Sequence, residues 1–187
     1  MAHSERREHL VDTAVKLFDA HGFHATGIDT ILAKAGVSKK TLYRHFRSKD
    51  ELILAALKKR DGVFRNNFMR QVEAKASTPL GRLEAVYDAA DDWFSNDKFF
   101  GCMFINAVGE HTEADTPIRQ VAKEFKAMMR GYIKELCVEA GLKDPDVLSK
   151  QLALLLEGAT VTAQVSGTPD ASEIAKATAK VLINQAK

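Results

Sequence analysis

The sequence predicts an all-α chain of about nine helices, and three observations carry that expectation. Each of the four prolines follows a residue that caps helix N-termini: Thr78-Pro79, Thr116-Pro117, Asp144-Pro145 and Thr168-Pro169. A capping residue followed by proline at the first helical position marks a helix start. Gly22, Gly141 and Gly167 stand where helices would stop. No segment alternates polar and apolar residues with the period of a strand.

In chain order the helices are expected over 4–20, 27–34, 38–45, 48–75, 79–95, 98–110, 117–140, 145–166 and 169–185. The first offers a packing face of Arg6, Leu10, Ala14, Leu17 and Phe18. The second has an apolar face of Ile28, Ile31 and Leu32, with small Ala33 and Ala35 for close helix approach, and Gly36 supplies the positive φ that ends it. Val37 is an apolar plug beside the turn, and Ser38 is a good N-cap for the third helix. The fourth opens on a capping box of Ser48 with Glu51. The break between the fifth and sixth, at 95–98, is the least marked. The seventh, eighth and ninth start at their prolines.

At 187 residues the chain is long enough to bury a real core, and 45% apolar content argues against disorder. The net charge of +2 hides an asymmetry. The first sixty residues hold 12 Lys/Arg against 7 Asp/Glu, and the remainder 15 against 18. Between Asp29 and Asp50 there are six cations (Lys34, Lys39, Lys40, Arg44, Arg47, Lys49) and no acid. Cys102 and Cys137 are the only cysteines, which excludes a disulfide scaffold and a zinc ribbon. A charged, helical N-terminus reads as no signal peptide, and the apolar run 152–156 is far too short to cross a bilayer, so no membrane association and a cytoplasmic setting are expected.

The stretch 27–49 therefore reads as a helix-turn-helix whose second helix enters a DNA major groove. Leu42 and Phe46, four apart, point to the core. At about 100° per residue, Lys39, Lys40, Tyr43, Arg44 and Arg47 take the opposite arc, with Thr41 and His45 on a flank. Lys39, Lys40 and Arg44 are candidates for base edges or phosphates, since Lys or Arg to guanine is the commonest specific contact. Tyr43, His45 and Lys49 are candidates for the DNA backbone, and Thr41 for a thymine methyl or a phosphate. Thr26 caps the preceding helix and offers N–H groups to a phosphate. Ser38 completes the DNA-binding set.

These residues carry a family resemblance. Over 4–56 the chain resembles the TetR family of bacterial transcription regulators: an amphipathic first helix ending in LFDAHGFHAT, then GIDTILAKAGVSKKTLYRHF, then SKDEL. The joint pattern AGVS-x-x-TLY-x-HF-x-SK-x-EL is far more specific than a generic helix-turn-helix. Lys40 stands where glycine or proline is common, which alters base preference rather than abolishing binding. Further on, GCMFINAVGE (101–110) is similar to a segment of one subgroup, and LLLEGA (154–159) resembles the start of the family's dimer-forming region.

The resemblance implies an N-terminal three-helix DNA-binding domain (1–50) and a C-terminal helical ligand-binding and dimerisation domain (51–187). It implies a homodimer on a palindromic double-stranded operator, usually repressing, with a small-molecule effector that enters the C-terminal domain and moves the two reading heads apart. Lys39, Lys40, Thr41, Tyr43, Arg44, His45 and Lys49 occupy the family's DNA-contacting positions.

From position 80 onward, aromatic and sulfur side chains gather. Trp93, Phe94, Met103, Phe104, Phe125, Met128, Met129 and Tyr132 suit a pocket for a lipophilic effector, and they read equally as ordinary helical core. Asn106, Glu157, Thr160 and Gln164 are candidate polar anchors or structural hydrogen-bond partners. Leu148, Leu152, Leu155, Leu156, Ala159 and Ala163 make the eighth helix broadly apolar, and the ninth offers Ile174, Val181 and Leu182. Both sets suit a four-helix dimer interface, or burial within the monomer. The long fourth helix, with Gly62 as a point of bending, is the expected route from pocket to reading head.

Two other classes fit less well. Cys102 with His111, or Asp91 and Asp92 with Glu110, lack a recognisable catalytic spacing, and no glycine-rich phosphate loop is present, so no enzyme and no cofactor are expected. His21 and His24 straddle a turn with no third ligand nearby, so no metal is expected. A DNA-bound architectural or activator protein without a ligand stays compatible with the sequence.

Overall fold

The computed structural model describes residues 3–167 and 170–187. The described residues form nine helices and no strand. These are α1 (His3–His21), α2 (Ile28–Ala35), α3 (Lys39–His45), α4 (Lys49–Lys75), α5 (Pro79–Phe94), α6 (Met103–Glu110), α7 (Pro117–Glu139), α8 (Pro145–Ser166) and α9 (Ala171–Gln185).

The start signals work as side-chain caps in two of the three described proline sites. Thr78 Oγ1 accepts the N–H of Gly81 at 3.1 Å, and Thr116 Oγ1 that of Arg119 at 3.2 Å. Asp144 does not cap. It sits in the left-handed region (φ 47°) with no side-chain bond to the helix. The Thr168-Pro169 start lies outside the described residues.

One boundary differs from the sequence expectation. The sixth helix begins at Met103, not at 98. Asn96 instead folds the chain into a turn, its side chain accepting the N–H of Lys98 and its carbonyl that of Phe99. Gly101 follows at φ 85°, and the side chain of Gln164 occupies the place a β-carbon would take there. Only glycine fits that combination.

Packing divides the chain into two units. The first takes residues up to Val63 together with Met103–Phe125, and the second takes Phe64–Cys102 and Lys126–Lys187. The sequence-based division at 50/51 falls inside α4.

In the first unit α1, α2 and α3 pack on one another. Leu10, Ala14, Phe18, Phe23, Ile31, Leu42, Leu52 and Leu57 are almost wholly buried. Phe18 and Phe23 stack at 5.0 Å, and Phe104 and Phe125 at 3.9 Å. On α1, Arg6 is exposed and Leu17 only half-buried. The cation that packs is Arg7, whose guanidinium lies 5.1 Å above the Phe46 ring.

In the second unit α5, α8 and α9 pack pairwise. Ala171, Ala175 and Ala179, one turn apart, form the buried face of α9 and allow close approach. A polar ladder runs along the α5–α9 seam: Glu84 with Lys180, Asp88 with Lys176, Asp91 with Ser172. Tyr87 is buried and donates to the Leu152 carbonyl at 2.9 Å.

Candidate nucleic-acid interface

The α2–α3 turn is built as a helix stop followed at once by a helix start. Gly36 is left-handed (φ 64°), and its N–H and that of Val37 both reach back to the Leu32 carbonyl. Ser38 Oγ accepts the N–H of Thr41 at 3.2 Å and lies 3.0 Å from the Thr41 hydroxyl. α3 is thus seeded by its own first turn. It is fastened by Leu42, which is fully buried, and by Phe46 just beyond its end.

That anchoring leaves the opposite face bare. Ser38, Lys39, Lys40, Tyr43, Arg44 and Arg47 are exposed, while Thr41 and His45 are half-buried on the flank. Among the described residues none of the six cations from Lys34 to Lys49 forms an ion pair. The contrast lies on α4, where Lys59 and Arg60 are engaged by Asp12 and Asp19, each at 3.3 Å. Desolvation pushes the Asp19 carboxyl up and Arg60 pulls it partly back. This face therefore holds donors free of ion pairs, for which phosphates and base edges would be fitting acceptors.

α4 starts beside this face. Ser48 Oγ accepts the N–H of Glu51, and Glu51 reaches back to the N–H of Arg47 at 2.7 Å. Lys49, half-buried, is the first residue of α4. Thr26 is buried, and its hydroxyl donates to the Gly22 and Leu17 carbonyls at the end of α1. α2 begins at Ile28 behind Gly27, which caps it without a side-chain bond, so only backbone N–H groups would face a phosphate there.

The pocket candidates fall into both units. Met103, Phe104 and Phe125 are buried, and Asn106 half-buried, in the first. In the second, Phe94, Met129, Tyr132 and Thr160 are buried, Trp93 is half-buried and Met128 is exposed. Trp93 meets Phe64 and Phe99 edge-on, at 4.7 and 5.1 Å. Thr160 donates to the Leu156 carbonyl, and Glu157 pairs with Lys126. The Tyr132 hydroxyl is buried without a hydrogen-bond partner, and burial pushes its pKa up to about 12. A half-open cavity of about 490 Å³ lies in the first unit and is lined by none of these candidates; His24, Lys49, Asp50, Glu110 and His111 border it.

The interface candidates also separate. Leu148, Leu152, Leu156, Ala159 and Ala163 are buried within the unit itself, and Leu155 and Leu182 are half-buried. Ile174 and Val181 are exposed. The outward apolar face of α8 consists of residues outside the set expected from sequence: Val147, Leu154, Val161 and Val165, the last 83% exposed. An all-round apolar helix gives no sign of which face turns inward.

Comparison with known proteins agrees with this architecture. Residues 10–56 match the bacterial regulatory proteins of the tetR family, and residues 79–179 match the tetracyclin repressor-like C-terminal domain. The HTH-type transcriptional regulator YjdC of Escherichia coli is 26% identical over 156 residues, covering 82% of this chain and 80% of that protein. The HTH-type transcriptional activator FasR of Mycolicibacterium smegmatis is 39% identical over 94 residues, 50% of this chain and 42% of its own length. A TetR-family transcriptional regulator from Streptomyces coelicolor has a crystal structure that superposes with a TM-score of 0.88 at 30% identity, covering 98% of this chain and 96% of that one. No helix among the described residues is long and apolar enough to cross a membrane. With a DNA-binding domain at its start and the family's second domain behind it, this chain belongs to the TetR family of bacterial transcriptional regulators, a regulatory protein rather than an enzyme.

Proposed function

We propose that the protein is a cytoplasmic homodimeric repressor, which grips a palindromic operator with two copies of α3 and lets go when a small lipophilic molecule enters its helical body. The observation that carries this reading is the pairing of two bare surfaces: a cationic face on α3, and an apolar face on α8 and α9. Lys39, Lys40 and Arg44 read or steady the duplex, and Tyr43, His45 and Lys49 hold its backbone. Leu154, Val165, Ile174 and Val181, each more than half exposed, supply the contact between copies. Two heads meet successive major grooves only when spaced by about 34–36 Å or its multiples. An effector preferring a different spacing by a few kcal/mol would release the operator. The ring cluster of Trp93, Phe94 and Phe99 supports an aromatic-lined site.

A second reading, activation in place of repression, is favoured by the 39% identity with the activator FasR over half of this chain. One experiment decides between them. Genomic fragments are selected on the purified protein, and lipophilic compounds are titrated against the complex. A symmetric operator overlapping a promoter, with displacement by a compound, supports repression. An operator upstream of the promoter whose occupancy raises transcription supports activation. Recovery of bulk DNA without sequence preference sinks both.

A further inference from the structure

The segment 101–110 ends on a contact that the DNA-reading motif leaves unexplained. Glu110 stands in the last turn of α6, where the helix dipole disfavours a carboxylate. Both of its oxygens nevertheless hold backbone donors. Oε1 accepts the N–H of Phe23 at 2.9 Å, and Oε2 that of His24 at 2.6 Å. Those donors come from the turn between α1 and α2, 86 and 87 residues earlier in the chain. Gly22 enters that turn at φ 81°, and a β-carbon on it would stand 2.9 Å from Oε1. Phe23 is fully buried, stacked on Phe18 and edge-on to His111 at 5.9 Å. His24 Nδ1 lies 3.6 Å from Oε2. Hydrogen bonds to an ionised acceptor are roughly twice as strong as neutral ones. The turn they hold sets where α1 ends and α2 begins.

We propose that Glu110 is a positioning residue for DNA binding: from the end of α6 it clamps the α1–α2 turn and so fixes the pose of α2 and α3 for the groove. The proposal rests on α3 being the reading helix. It also makes α6 a second lever on the reading head besides α4, because any displacement of α6 acts on the turn through this carboxylate.

The test uses the full chain with Glu110→Ala and Glu110→Gln, the latter keeping shape but setting an amide NH₂ against a backbone N–H. Three quantities are read: amide exchange at Phe23 and His24, melting temperature, and affinity for an operator fragment recovered by the genomic selection. Both variants are expected to exchange at those two amides about tenfold faster or more. Their operator dissociation constants should rise about tenfold at an unchanged salt slope, well below the melting transition. Unaltered affinity, or a loss no larger than the unfolded fraction explains, overturns the proposal. So does exchange at the wild-type rate. If the wild-type protein selects no operator, it is the reading of α3 that fails; if it selects one and Glu110→Gln binds it equally well, only the role of Glu110 fails.

Discussion

α3 and α8 handle apolar surface in opposite ways. α3 has seven residues and buries one of them, Leu42, with Phe46 beyond its end as a second anchor. Everything else on it is flank or bare polar face. α8 has 22 residues, buries seven, and still shows Val147, Leu154, Val161 and Val165 to the outside. A one-sided helix can present a surface for a polyanion because its anchoring and its display are separate sets of side chains. A two-sided helix has a face for its own unit and another left over, and the leftover face is apolar enough to seek a protein partner.

The largest effect should come from the outer face of α8. Leu154→Asp with Val165→Asp leaves the buried side untouched and is expected to convert the proposed dimer to monomers by light scattering. Operator affinity would fall by about two to four orders of magnitude, since the two heads no longer share one tether. An unchanged dimer mass would mean the exposed face has another use. On the inner face, Leu152→Ala should lower unfolding stability by about 2–5 kcal/mol in a urea titration while leaving the dimer intact. Those two results together separate the faces of α8.

For α3 the separation runs the other way. Lys40→Ala with Arg44→Ala should change stability by less than about 0.5 kcal/mol, because neither side chain is buried. It should shift preference among operator variants by about 1–3 kcal/mol for each base edge no longer bonded. Lys49→Ala should weaken all sequences alike and flatten the salt dependence by about one unit. Equal weakening on every sequence for both would assign Lys40 and Arg44 to phosphates.

The smallest expected effect lies inside the second unit. Tyr132→Phe removes a buried hydroxyl with no partner, and should be neutral or stabilising by about 1 kcal/mol at neutral pH. The folded phenol titrates near 12, above the ordinary value of 10. Between those values the unfolded chain has released its proton and the folded one keeps it, so stability falls as pH rises through that window. The variant should flatten that fall in alkaline melts.

How much of this was legible in the sequence follows from the same contrast. The faces of α3 could be read because its turn chemistry and charge partition agree residue by residue. The same local logic located all nine helices, with the sixth beginning five residues later than expected. The faces of α8 could not be read, since Leu, Val and Ala surround it. The late start of α6 follows the Asn96 turn, and the need for glycine at position 101 comes in part from Gln164, a contact 63 residues away that no local pattern reports. Arg7 rather than Arg6 packs on Phe46 just beyond α3, because one residue of helical phase decides which of two neighbouring arginines meets that ring. The hold of Glu110 on the turn was equally hidden, its only local trace being an acid at the wrong end of a helix.

α4 runs unbroken for 27 residues, about 40 Å at 1.5 Å per residue. The division between the units, at Val63 and Phe64, falls in the middle of it. Leu52, Ile53, Ala56 and Leu57 are seated in the first unit, Phe68 and Val72 in the second. Each half of α4 is therefore anchored by apolar side chains of its own. A proline near Gly62 would break the backbone ladder between the two anchor sets, at a cost of about 3 kcal/mol, and leave the buried side chains of both in place.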